Sequence, residues 1–182
     1  TFIQVRKILL FIIISFFFFI LFSAPSMAGV LMDVPTALKF HFGEYEVKKE
    51  KVYLTTTSVN KLENVARSKF VSKIYSVYEA KSNGKRMFSA ILETHILRSR
   101  TQTLFVIFDN KGRVVSTHVL AFYEPEEYIM SPKWFAQFKS KTINDKMEPG
   151  DDLAKVSGST ISYNETASAV RRMTTLYNYI YN

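Results

Sequence analysis

The residue types with the clearest chemical use stand together near the end of the chain, at Ser157-Gly158-Ser159-Thr160-Ile161-Ser162. Small residues and hydroxyls here run directly into an apolar pattern at helical spacing. Such a junction binds anions: glycine lets the backbone approach closely, the first N–H groups of a helix point outward, and the helix dipole favours a phosphate. A plain cap and turn before an ordinary helix is the other reading of these residues.

Further candidates are scattered. Glu124 precedes Pro125 and is followed by Glu126 and Glu127, which reads equally as a solvated acidic turn. Trp134 and Phe138 lie at helical spacing and suit either a core or an aromatic wall for a ligand. Lys141 reads as a phosphate contact or as a surface lysine. His41, His95 and His118 are too far apart in sequence to show metal-ligand spacing, and no metal site is expected. No nucleophile–base pair or paired-carboxylate arrangement stands out. Cysteine is absent, which excludes disulfides, iron–sulfur ligands and a haem-attachment motif.

The elements that must position these residues follow from periodicity. Leu31 to Phe42 fits a short helix, and a strand is expected within Glu46 to Thr57, around Lys51-Val52-Tyr53-Leu54. Asn60 with Glu63 reads as a capping box, followed by Leu62, Val65, Ala66 and Phe70 on one helical face. From Val71 the period becomes two. Asn83-Gly84 marks a tight hairpin, Met87 to Leu97 a return strand, Thr103 to Phe108 a third strand, and Val114 to Phe122 a fourth after the turn Asp109 to Gly112. Ser131-Pro132 opens a short helix, and Glu148 to Asp152 is a loop. Ser162 with Glu165 reads as a second capping box. It precedes a final helix that buries Ala167, Val170, Met173, Thr174 and Tyr177 and exposes Arg171 and Arg172. The expected class is α+β, an antiparallel meander packed with a few helices.

The first 28 residues read as a leader. Arg6 and Lys7 precede an apolar run, Ile8 to Phe22, of 15 residues broken only by Ser15, and then comes Ser26-Met27-Ala28. This is the pattern of a secretory signal peptide cut after Ala28, the run being short of the ~20 residues of a membrane-crossing helix; an uncleaved anchor is the alternative. The organisation is then leader (1–28), an N-terminal extension (29–70) and the main domain (71–182). Loss of Arg6 and Lys7 lowers the formal charge from +8 to +6. The moderate excess reads as a solvated surface, with an acidic redox partner or anionic lipid headgroups as the alternatives; no basic run is dense enough for nucleic acid.

Three segments in order resemble the FMN-binding domain family, related to the flavin-bearing subunits of the sodium-pumping NADH:quinone oxidoreductase and Rnf complexes. They are Val119-Leu120-Ala121-Phe122-Tyr123-Glu124-Pro125, then Trp134-Phe135-Ala136-Gln137-Phe138-Lys139-Ser140-Lys141, then Ser157-Gly158-Ser159-Thr160-Ile161-Ser162 before the last helix. The resemblance covers about residues 70 to 182. It implies an electron carrier rather than a stand-alone enzyme, and the leader adds export to the periplasm or to the outer face of the cytoplasmic membrane. FMN would be bound through Ser157, Gly158, Ser159, Thr160 and Ser162, with Glu124, Trp134 and Lys141 near the flavin. In many family members the motif threonine, here Thr160, carries FMN by a phosphoester that a flavin transferase installs. The implied partners are a membrane electron-transfer complex or redox protein. Ser159 stands where the family prefers alanine, and Ala154 where it prefers aspartate. The alternative implied by these departures is a flavin-free binding or structural module of the same fold.

Overall fold

The computed structural model describes residues 29–182; the expected leader lies outside the described residues. The chain forms one six-stranded antiparallel sheet with helices on both faces, an α+β meander. Its elements are β1 (Gly29–Val30), α1 (Val34–Phe42), β2 (Glu46–Tyr53), α2 (Thr56–Ala66), β3 (Ile74–Ser82), β4 (Lys85–Ile96), β5 (Thr101–Asp109), β6 (Val114–Phe122), α3 (Pro132–Phe135) and α4 (Thr160–Tyr181). The sheet order is β1-β6-β5-β4-β3-β2, so each of the strands from β2 to β6 pairs with the next.

Local chemistry explains the connections. Asn83 and Gly84 take φ of 51° and 73°, the left-handed pair that a two-residue hairpin needs to match strand twist. Ser131 caps α3 by accepting from the Trp134 N–H at 3.2 Å, with Pro132 at the first helical position. The outer strand β2 reads Glu-Val-Lys-Lys-Glu-Lys-Val-Tyr and is largely exposed. Its charges keep an open sheet edge from pairing with other chains.

Alternation in the strands separates two cores. Val77, Ile91, Leu104, Val106 and Phe108 face α2, α3 and α4, together with Trp134, Phe138, Val170, Met173 and Tyr177. Tyr78, Ala80, Ala90, Phe105 and Ile107 face the opposite way, under Ala37 and Phe42 of α1.

Three local expectations are corrected. The helix expected from Asn60 begins at Thr56, because the Thr55 hydroxyl accepts from the Ser58 N–H at 3.1 Å and caps it five residues earlier. Asn60 lies inside the helix, and Glu63 accepts from Phe70 N–H and Lys69 beyond the helix end. Val59 joins Leu62 and Ala66 on the buried face, while Val65 is 56% exposed. Likewise α4 starts at Thr160, not at Ser162. Finally, Arg171 and Arg172 are buried rather than exposed. Both find acceptors under the helix, as described below.

Candidate functional site

Helix α4 crosses the inner face of the sheet and sets the position of everything else. Its Thr166 hydroxyl accepts from Gln102 Nε2 of β5 at 3.5 Å. Further along, Arg172 meets Glu93 of β4, and Tyr177 donates to the Asp109 carbonyl at the far end of β5. The helix start therefore projects past Gln102, by about 9 Å of rise from Thr166 to Thr160. That is the end of the sheet where β4 turns into β5 and β6 runs out at Phe122.

The start of α4 is open. Gly158 has φ of 78°, a left-handed bend that turns the chain into the helix. Ser157, Gly158 and Thr160 are exposed. Ser159 takes the capping position without a side-chain cap bond, and the first turn holds no acidic residue. Helices usually satisfy their first N–H groups with a capping side chain and balance their dipole with a nearby acid. Among the described residues, nothing accepts from Thr160, Ile161 or Ser162 N–H. Ser162 is fully buried, and its hydroxyl has no hydrogen-bond partner there either. What remains is a cluster of donors suited to an anion.

Trp134 and Lys141 act one step back from this loop. The Trp134 indole N–H donates to the Ala154 carbonyl at 2.8 Å. The Ala154 N–H donates to Gln137 Oε1 at 2.7 Å. Lys141 Nζ lies 2.7 Å from Asp152 Oδ2, and the same carboxylate accepts from Met147 and Glu148 N–H. Burial pushes the Asp152 carboxyl up, but Lys141 and these backbone donors outweigh it and hold the group below its usual range. The segment 134–141 thus clamps the loop that delivers Ser157–Thr160. Trp134 is 4% exposed and stacks edge-on with Phe135 and Phe138.

Glu124 is not a solvated turn residue. It is 3% exposed, and its Oε1 accepts from the backbone N–H groups of Arg98, Ser99 and Arg100. Desolvation raises its carboxyl, and the Ser99, Arg100 and Arg98 donors more than reverse that, so it stays ionised. It fixes the β4–β5 turn at the same end of the sheet as the α4 start.

Behind these residues runs a buried polar layer that sequence reasoning missed. Arg172 Nη2 is 2.5 Å from Glu93 Oε1, with both side chains at most 2% exposed. Tyr75 donates to Glu93 Oε2 at 3.5 Å, and Arg172 Nη1 donates to Ser68. His95 lies beside them with neither ring nitrogen hydrogen-bonded. Burial, reinforced by Arg172, pushes its imidazole down to about 3. Arg171 donates to the carbonyls of Ala66 and Met147 and to Glu148. The available signal was the alternation Ile91, Glu93, His95, which puts two titratable residues on an inward face.

His41 and His118, distant in sequence, come together with ring centroids 4.2 Å apart. No cluster of three or more metal-ligating side chains forms among the described residues. A cavity of about 510 Å³ lies beside β6 and α3, lined mainly by apolar side chains such as Leu31, Val119, Ile129, Pro132 and Phe135. None of the eight candidate residues lines it.

No protein-family model, curated protein or solved structure matches this chain. Class and site are therefore defined by geometry alone: an antiparallel α+β domain with an open, donor-rich helix start at one end of its sheet.

Proposed function

We propose that this chain is an exported flavoprotein that carries electrons through FMN held at the start of α4. The supporting observation is Thr160, an exposed hydroxyl on the first residue of a 22-residue helix whose leading N–H groups lack acceptors among the described residues. A phosphoester at this hydroxyl keeps one negative charge where donors and the helix dipole stabilise it. The donor set fits the phosphate of FMN: Gly158 leaves room, the first turn has no acid, and the exposed Ser157 and Thr160 hydroxyls stand beside the leading N–H groups.

When bound, FMN supplies one- and two-electron chemistry. The chain's own residues present and orient the group. Trp134, Gln137 and Lys141 clamp the loop, and Glu124 stiffens the neighbouring turn. With no nucleophile–base pair in the sequence, the protein acts as a carrier between a membrane electron-transfer complex and an extracytoplasmic acceptor, with a flavin transferase needed for its maturation. Ala154 is exposed, so a transferase meets this departure from the family pattern directly.

Intact mass and visible absorption of the protein co-expressed with a flavin transferase test the reading. One FMN of added mass that survives denaturation and vanishes in Thr160→Ala supports covalent attachment. Yellow colour lost on denaturation supports non-covalent FMN. A colourless protein, even with excess FMN, overturns the reading in favour of a flavin-free module.

A further inference from the structure

We infer that the end of the sheet carrying the β4–β5 turn is a docking face for an anionic lipid bilayer, an assignment independent of any cofactor. Strand pairing brings one set of termini together there: Tyr53 of β2 is opposite Ile74 of β3, Ile96 of β4 opposite Thr101 of β5, and Phe122 of β6 opposite both Gln102 and Gly29. Among the described residues, six of the eleven exposed large hydrophobic side chains lie at this end. They are Tyr53 (67%), Val71, Ile74 (52%), Ile96 (63%), Tyr123 and Ile161. Soluble surfaces carry isolated apolar residues as a matter of course, but a group gathered at one end of a sheet marks an interaction site.

Chain continuity selects the bilayer as the occupant. The 15-residue apolar run ends at Phe22, and seven peptide units join it to Gly29. That link spans at most about 25 Å. Gly29 enters the sheet beside Phe122, at this same end. With the apolar run in a membrane, Gly29 at this end of the sheet is therefore held within about 25 Å of it.

The chemistry of the rim agrees. Arg98, Arg100 and Lys73 are exposed around the apolar residues, matching a surface that attracts juxtamembrane cations. Tyr53 and Tyr123 have the amphipathic rings enriched at headgroup level. Exposed Glu126 and Glu127 stand on the flank after Pro125, so the apolar side chains carry much of the contact. No helix among the described residues is long and apolar enough to cross a membrane.

The test uses the full chain in vesicles of phosphatidylcholine and phosphatidylglycerol containing brominated lipid. Trp134 is buried and gives a constant background. A tryptophan added at the face, Ile96→Trp, should lose about half its fluorescence to the bromines, while Lys85→Trp on the opposite hairpin should lose none. Tyr123→Glu with Ile74→Glu, added to Ile96→Trp, should abolish the quenching while near-ultraviolet dichroism stays unchanged. Equal quenching at positions 96 and 85, or none at either, overturns the assignment. So does quenching at 96 that survives the two glutamates, because the domain is then merely tethered by its apolar run.

Discussion

Arg172 lies on Glu93, with Nη2 2.5 Å from Oε1, in a layer sealed between α4 and the sheet. Burial alone pushes the Glu93 carboxyl up, and the Arg172 hydrogen bonds and charge work against that rise. Two ions removed from water gain little over a well-packed apolar pair, yet either one left alone is costly. Arg172→Met should therefore destabilise the fold by about 3–5 kcal/mol in urea unfolding. Adding Glu93→Leu should restore much of that loss. Equal instability in the single and double variants would show that packing, not the stranded carboxylate, sets the cost.

The same layer makes stability depend on pH through His95. Its imidazole is held at about 3 in the fold, against ~6.5 when unfolded. The folded-state value is depressed, so the unfolded chain binds the proton first as pH falls. The stabilising contribution is complete above ~6.5 and is lost progressively below it, down to the folded value. Between pH 7 and pH 5 the loss from His95 should be about 2 kcal/mol. His118, held at about 4 by burial and then by His41, adds about 1 kcal/mol after discounting for solvent screening. Urea midpoints at the two pH values, compared with those of His95→Gln, measure the His95 share; an unchanged slope in the variant would refute it.

Trp134 offers a test of the clamp. Trp134→Phe keeps an aromatic ring in the core but removes the donor to the Ala154 carbonyl. The expected cost is about 1–3 kcal/mol, because the loss of packing volume adds to the lost hydrogen bond. Hydrogen exchange should rise at the Ala154 N–H, whose partner Gln137 sits on the same clamp, and stay unchanged in the β3–β4 hairpin. A uniform rise across the domain would mean that Trp134 supports the core and not the loop.

Legibility in the sequence followed the range of the forces involved. The meander was readable because each hairpin is set by neighbours: Asn83-Gly84 and the Asp109 to Gly112 turn sit between alternating runs, and both form as expected. The buried face of α4 was readable for the same reason, since Ala167, Val170 and Met173 repeat at helical spacing. Arg171 and Arg172 were misread because their partners, Glu148, Ala66 and Glu93, are more than twenty residues away. The expected cap at Asn60 failed because the Thr55 hydroxyl, five residues earlier, accepts from the Ser58 N–H and caps the helix first. At the site, the hydroxyl loop was visible as a cluster. The engagement of Lys141 with Asp152 and of Glu124 with the 98–100 turn was not, because both are tertiary contacts without a periodic signature.

Ser162 and Thr160 carry two unpartnered hydroxyls at the start of α4, one fully buried and one exposed, and the difference makes their roles separable. Ser162 is fully buried with an unpartnered hydroxyl, and an orphan polar group inside a protein costs stability. Ser162→Ala should therefore leave the flavin-free protein as stable as before, or more stable by about 0.5–1 kcal/mol. Thr160 is exposed at the helix start, and Thr160→Ala should change stability by less than about 0.5 kcal/mol. If both hydroxyls serve FMN, Thr160→Ala abolishes covalent attachment. Ser162→Ala then weakens equilibrium binding of free FMN, followed by flavin fluorescence quenching, by about tenfold. A clear loss of stability in flavin-free Ser162→Ala would instead reveal a partner for this hydroxyl inside the fold and remove it from the site.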